Sequence, residues 1–221
     1  MDKLTALNQA NPHIKIYSIH DPEFSRYGRV IEEDTTAFCA AAETLPFPEE
    51  GSKYVASTPE LDEIPEAKAL RETYCGGLDE QVGLCWGHSN RLNALEWHTC
   101  NEFNIAVREM VLLLAKRDDL DADGRLDSAK VKAFYLEQSA FVEVYSDTLH
   151  FCPCEVTRNG FSSIVGLQRG TNLPLEPEQK KGTLWAANKW LIGHEANTSL
   201  IERGAVPGIY GENWVINPVE S

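Results

Sequence analysis

The stretch "LEWHTCNEFN" (residues 95–104) decides how this chain is read. On a β-strand, residues two apart share a face, so Glu96 and His98 point one way while Leu95 and Trp97 point the other. Glu102 follows after a short turn, from which it can return to the side of Glu96 and His98. A second short motif, "DTLHFCPC" (147–154), supplies His150. An isolated E-x-H is common on exposed polar strands. Here the added Glu102 and a second histidine motif in the same strand-rich region favour a metal site. Imidazole and carboxylate groups from neighbouring strands suit one borderline divalent ion (zinc, manganese, nickel, cobalt or iron) with positions left open for a ligand. The expected metal ligands are therefore Glu96, His98, Glu102 and His150.

The surroundings of this stretch are strand-like. From Gln81 onward, short apolar or alternating segments are separated by turn residues. Strands are expected near 81–87, 92–98, 104–116, 130–136, 140–146, 162–168, 183–187 and 190–194. Many short strands at this spacing make a mainly β sandwich or barrel, here over residues 76–221. Residues 1–75 read as a partly helical N-terminal extension packing on the barrel. In "TPELDEIPEAKALRETY" (58–74), Thr58 or Pro59 opens a helix, acids crowd its early turns, "CGG" ends it, and Pro65 splits it. The tail "GAVPGIYGENWVINPVES" (204–221), rich in Gly and Pro, is expected to wrap the surface.

Composition narrows the function classes. Hydrophobic residues make up 43% and charged residues 24% of the 221, ordinary values for a globular chain. The formal charge of −14 repels phosphate backbones and anionic lipid surfaces, so neither a nucleic acid nor a membrane is an expected partner. No apolar run resembles a membrane span or a signal peptide, so a cytoplasmic location is expected. The six cysteines are then reduced thiols without CxxC spacing. "DLDADGRLDSAK" (119–130) imitates a calcium loop through Asp119, Asp121, Asp123 and Gly124. Its twelfth position is Lys130 where a glutamate is required, so it reads as a hairpin loop.

Two resemblances follow from these residues. "EWHTCNE" (96–102) resembles the H-x-H-x(3,4)-E motif of cupins with Glu96 in place of the first histidine, and His150 is the candidate for the later histidine. The chain is also similar to a bacterial family of about this length long known only as of unknown function. "LNALEWHTCNE" (92–102), "VEVYSDTLHFCPC" (142–154), "RGTN" (169–172) and "NKWLIGH" (188–194) carry that likeness. The resemblance implies a cupin-like double-stranded β-helix barrel and a role in sugar catabolism. It further implies aldose–ketose isomerisation, with sulfoquinovose to 6-deoxy-6-sulfofructose as the sharpest version. Isomerisation or epimerisation of another sugar, phosphorylated ones included, a cupin lyase or hydrolase, and a non-enzymatic sugar-binding cupin stay open. A homo-oligomer, with a dimer favoured, is implied as well.

That chemistry needs a base beside the substrate's C1 and C2. Glu143 is the first candidate if it is not itself a ligand, with Tyr145 and Lys189 assisting. An anionic substrate group would need cations. Arg91, Arg169 and Lys189 lie inside the resembling segments, and Lys189 stands between apolar residues on an expected strand. His88, Asn90 and Asn104 could bond sugar hydroxyls, and Trp190 or Trp86 could offer a stacking face. Surface charge and core packing are the competing readings for these residues.

Overall fold

The computed structural model describes residues 2–220. The first third of the chain runs α1 (Lys3–Ala10), β1 (Ile16–Ser18), β2 (Gly28–Val30), α2 (Thr36–Ala42), β3 (Ser52–Val55), α3 (Pro59–Asp62) and α4 (Pro65–Tyr74). The rest is nearly all strand: β4 (Glu80–Gly87), β5 (Ala94–Trp97), β6 (Glu102–Arg108), β7 (Met110–Lys116), β8 (Leu126–Asp127), β9 (Lys132–Leu136), β10 (Phe141–Val144), β11 (Thr148–Leu149) and β12 (Cys154–Glu155) come first. They are followed by β13 (Phe161–Gln168), β14 (Leu184–Ala186), β15 (Lys189–His194), α5 (Thr198–Glu202) and β16 (Val206–Tyr210). Local chemistry sets several boundaries. The Asp2 carboxylate caps α1 by accepting from Thr5 N at 2.9 Å. Pro65 has no N–H to continue α3 and instead opens α4, so the expected helix is split in two.

A six-stranded antiparallel sheet has the order β2-β10-β6-β13-β4-β3. Facing it is a sheet built on β1-β9-β7, whose β7 also pairs β11 and β12. The third sheet runs β14-β15-β16-β8, with β5 paired to β15. Period-two alternation sorts the side chains into layers. Val82, Leu84, Phe103, Ile105 and Ile164 leave the large sheet outward and pack under Phe38, Leu61, Ala67 and Leu70 of α2–α4. On its inner face Ala106, Val142, Val144 and Phe161 meet Met110, Leu112, Leu114, Phe134 and Leu136. The far side of the second sheet buries Val111, Leu113 and Ala133 against Leu7, Leu95, Trp97, Ile192 and Ile209. The chain is thus mainly β, three packed sheets with helices in its N-terminal part, as expected.

Three details differ from the reading of the sequence. The expected strand 104–116 is two strands that turn at Glu109. Residues 1–75 supply β1, β2 and β3, which are hydrogen-bonded into the barrel's own sheets. The tail does not simply wrap the surface: Val206–Tyr210 forms β16, parallel to β15. Gly208 makes that pairing possible, because a Cβ there would meet Ile192 Cγ2 at 2.6 Å. Among the described residues, no helix is long and apolar enough to cross a membrane.

Candidate metal centre

At one end of the barrel the interior turns polar. The Glu96 and His150 backbones form an antiparallel bridge, Glu96 N to His150 O at 2.7 Å and His150 N to Glu96 O at 3.0 Å. Residues opposed in this way put their side chains on the same face. Glu102 arrives from β6, on the inner face of the large sheet that also carries Asn104 and Ala106. All four expected ligands converge. His150 Nε2 is 3.1 Å from Glu102 Oε2, and His98 Nε2 is 3.6 Å from Glu102 Oε2 and 3.7 Å from Glu96 Oε1. One ligand atom each from Glu96, His98 and His150 lies within 4.8 Å of the others.

The hydrogen bonds around the two histidines fit a cation. His98 Nδ1 donates to Asn188 O at 2.7 Å, and His150 Nδ1 donates to Thr148 O at 3.0 Å. Each ring is therefore held with Nε2 turned inward, as is usual for metal-bound imidazoles. His98 Nε2 is buried and has no hydrogen-bond partner, a costly state for a polar atom unless something binds it. Asn188 adopts φ 53°, and its Oδ1 also accepts from Thr99 N at 2.9 Å, which pins the turn bearing the His98 acceptor. Behind Glu102, Asn104 Nδ2 donates to Glu102 Oε1 at 2.9 Å, and Ser163 Oγ donates to Asn104 Oδ1 at 2.9 Å. Burial opposes ionisation of Glu102, but the charge and hydrogen bond of His150, with help from His98, hold its carboxyl well below the usual range. Burial likewise opposes charge on His150, and the Glu102 carboxylate outweighs it, pushing the imidazole up to about 9. Glu96, His98 and His150 could hold a metal ion, with Glu102 hydrogen-bonded to His150 beside them.

A cavity of about 350 Å³ opens over this cluster. Lys189 reaches into it and contacts Glu96 Oε2. Strand register explains why: Leu191 opposes Glu96 and Trp190 opposes Trp97, so Lys189 shares the inner face of the sheet and Trp190 the outer. Asn104 also lines the cavity. Other expected site residues lie elsewhere. Glu143 is opposite Phe103 in register, so it projects from the outer face, where Arg29 Nε donates to it at 2.5 Å and Asn101 Nδ2 at 2.6 Å. Tyr145 follows the end of β10, its ring 5.9 Å from Lys116 Nζ and outside the cavity lining. Arg169 is tied to Asp62 and Asp79, each at 2.9 Å. Arg91 bridges to Val215, the Asn90 carbonyl accepts from Ile216 N, and His88 Nδ1 meets Glu155 Oε2 at 2.8 Å. Trp190 stacks on Trp97 at 6.5 Å, and Trp86 donates to Pro46 O from the helix-covered face. The "CPC" segment turns behind His150, with Cys154 in the core and Cys152 on the cavity wall.

The cavity wall includes residues that sequence reasoning missed. Ser52, Lys53 and Tyr54 come from β3, within the segment read as an extension. Asn172 donates from Nδ2 to the Tyr54 hydroxyl at 3.0 Å, while its buried Oδ1 has no partner. "RGTN" carried the only available signal for Asn172; nothing in "SKYV" distinguished it from loop. The calcium-like loop is a turn in which Asp121 Oδ1 accepts from Asp123 N and Arg125 N. Among the described residues, the only grouping of metal-ligand side chains is at Glu96, His98 and His150.

No curated protein matches the chain. Among solved structures it is similar to Bacillus subtilis oxalate decarboxylase, studied for its Mn(II) centres, at 10% identity over 44% of this chain and 24% of that one, TM-score 0.30. It is similar to the vicilin of Solanum melongena at 10% identity over 66% of this chain and 33% of that one, TM-score 0.35. The 11S globulin procruciferin of Brassica napus is matched at 10% identity over 64% of this chain and 26% of that one, TM-score 0.30. The chain thus spans about a quarter to a third of the length of these proteins. A family model described as a domain of unknown function, DUF4867, matches residues 16–214, and the chain belongs to that family.

Proposed function

We propose that this protein is a metal-dependent aldose–ketose isomerase, acting on sulfoquinovose to give 6-deoxy-6-sulfofructose through an enediol. The observation that carries the reading is the partnerless His98 Nε2, which with Glu96 and His150 brings ligand atoms within 4.8 Å of one another beside a cavity of about 350 Å³ lined by Glu96, Glu102 and His150. A divalent ion held by these four residues would supply a Lewis acid for the sugar's carbonyl and neighbouring hydroxyl. The remaining work falls to the chain's own groups. Of the three expected base candidates, Lys189 alone enters the cavity, so it is assigned the proton movement between C2 and C1. Its contact with Glu96 holds the Nζ beside the ligand cluster. The Tyr54 hydroxyl accepts from Asn172 and keeps its own hydrogen for a sugar oxygen; burial and the charge of Glu102 push its phenol pKa upward, so that hydrogen is retained.

Incubation of the metal-loaded protein with sulfoquinovose in D₂O tests this. Deuterium entering at C1 of the ketose, and on reversal at C2 of the recovered aldose, is expected, and Lys189→Gln should lose the exchange while keeping the metal. Binding without exchange would make the protein a sugar-binding cupin instead. The homo-oligomer, dimer favoured, belongs to the same proposal, and light scattering of the purified protein tests it.

A further inference from the structure

We propose that Cys85 and Cys152 form a redox-sensitive dithiol in the cavity wall, which hydrogen peroxide converts to a disulfide that loosens the hold of the neighbouring ligand cluster on its ion. The loosened hold rests on the metal-binding reading of Glu96, His98 and His150; the disulfide itself does not.

Strand pairing sets where the two sulfurs lie. Cys85 opposes Tyr54 on one side and Ser163 on the other. Tyr54 lines the cavity, and Ser163 bonds Asn104, which also lines it, so Cys85 faces inward from β4. Cys152 arrives from the segment after His150, and its thiol donates to Ser52 Oγ at 3.4 Å. Ser52 and Tyr54 are two apart on β3 and share a face, so this bond places the Cys152 sulfur over the same patch of sheet. The two thiols are hydrogen-bonded to one another. Both line the cavity, both are partly exposed, and both pack against the apolar cluster of Ala106 and Phe161. Cys154 is nearer to Cys152 in sequence but lies fully buried in a different cluster.

Hydrogen peroxide oxidises one thiol: an S–O bond forms as the O–O bond breaks, giving a sulfenic acid and one water. The second thiol displaces the sulfenic oxygen, forming the S–S bond and releasing a second water. The two sulfurs together lose two electrons and two protons, and the peroxide is reduced to water. Cys152 lies two residues beyond His150, and Pro153 stiffens the chain behind it. Drawing its sulfur from Ser52 to Cys85 shifts the segment that carries His150, and ligand distances at a metal site tolerate only about 0.2 Å.

The test uses the zinc-loaded protein, because zinc has no redox chemistry of its own with peroxide. After hydrogen peroxide, peptide mapping without reductant should find a Cys85–Cys152 link, with Cys154 still a free thiol. Chelator competition should show zinc affinity lowered about tenfold and restored by dithiothreitol. Cys85→Ala, which removes the partner thiol alone, should keep the untreated affinity and lose the reversible fall. Cys152→Ser gives the same comparison from the other side. A map showing another pair, links between chains only, or over-oxidised Cys152 without a link would overturn the dithiol. A link that leaves zinc affinity unchanged would overturn its effect on the cluster. Mapping the zinc-free protein as well separates failure of the metal centre from failure of the thiol pair.

Discussion

Glu96 and His150 exchange both backbone hydrogen bonds across β5 and the residue after β11, which fixes two of the four converging side chains by main chain alone. Their placement therefore does not depend on a bound ion to assemble it. His98→Ala and His150→Ala should accordingly keep the fold while losing the metal. Far-UV circular dichroism and elemental analysis on the same samples check this; a variant with full metal content would remove that residue from the ligand set.

Asn104 links Ser163 to Glu102 without touching the expected ion position. Asn104→Ala should leave Glu102 present but unaimed, weakening metal affinity roughly 10–100-fold. Competition against a chelator of known affinity measures it. Unchanged affinity would mean that Glu102 is held by other contacts.

Glu143 was the first base candidate in sequence and lies on the wrong face for that role. Glu143→Gln should leave metal content and sugar binding intact. It should cost roughly 1–2 kcal/mol of stability, because the carboxylate is buried while its partner Arg29 is half exposed. Urea unfolding gives the stability change, and a loss of metal or of ligand binding would restore Glu143 to the site.

Gly83 packs so closely under β3 that a Cβ would overlap the Val55 carbonyl. Gly83→Ala should push β3 outward and weaken sugar binding through Tyr54, with metal content unchanged. A variant that binds sugar normally would show that β3 does not shape the cavity.

Glu80 is only 4% exposed, and burial raises its pKa from 4.5 to about 7. The folded state therefore holds this proton more tightly than the unfolded chain. Its contribution to stability is most favourable below about pH 4.5, falls as pH rises through the interval to about 7, and levels off above it. Glu80→Gln should remove that slope, so the variant should gain melting temperature relative to wild type at pH 8 compared with pH 5. Parallel melting curves for the two proteins at both values would contradict this.

The ligands were legible because a strand's period of two puts Glu96 and His98 on one face whatever the rest of the chain does. The same periodicity misled at Glu143. It shows that Glu143 and Tyr145 share a face but not which face looks inward; that is settled by the register against Phe103 on β6. Lys189 and Trp190 illustrate the converse, since adjacent residues must part and only the pairing with β5 says which enters the cavity. Tyr54 was invisible for another reason. Tyr54 reaches the site by long-range pairing of a four-residue edge strand with β4, opposite Cys85, which no local pattern in "SKYV" announces.

The central claim is the divalent centre, and elemental analysis of wild type and His98→Ala side by side tests it most directly. About one ion per wild-type chain, absent from the variant, is expected. No ion in either protein after incubation with zinc, manganese, nickel, cobalt and iron, or equal metal in both, would contradict it.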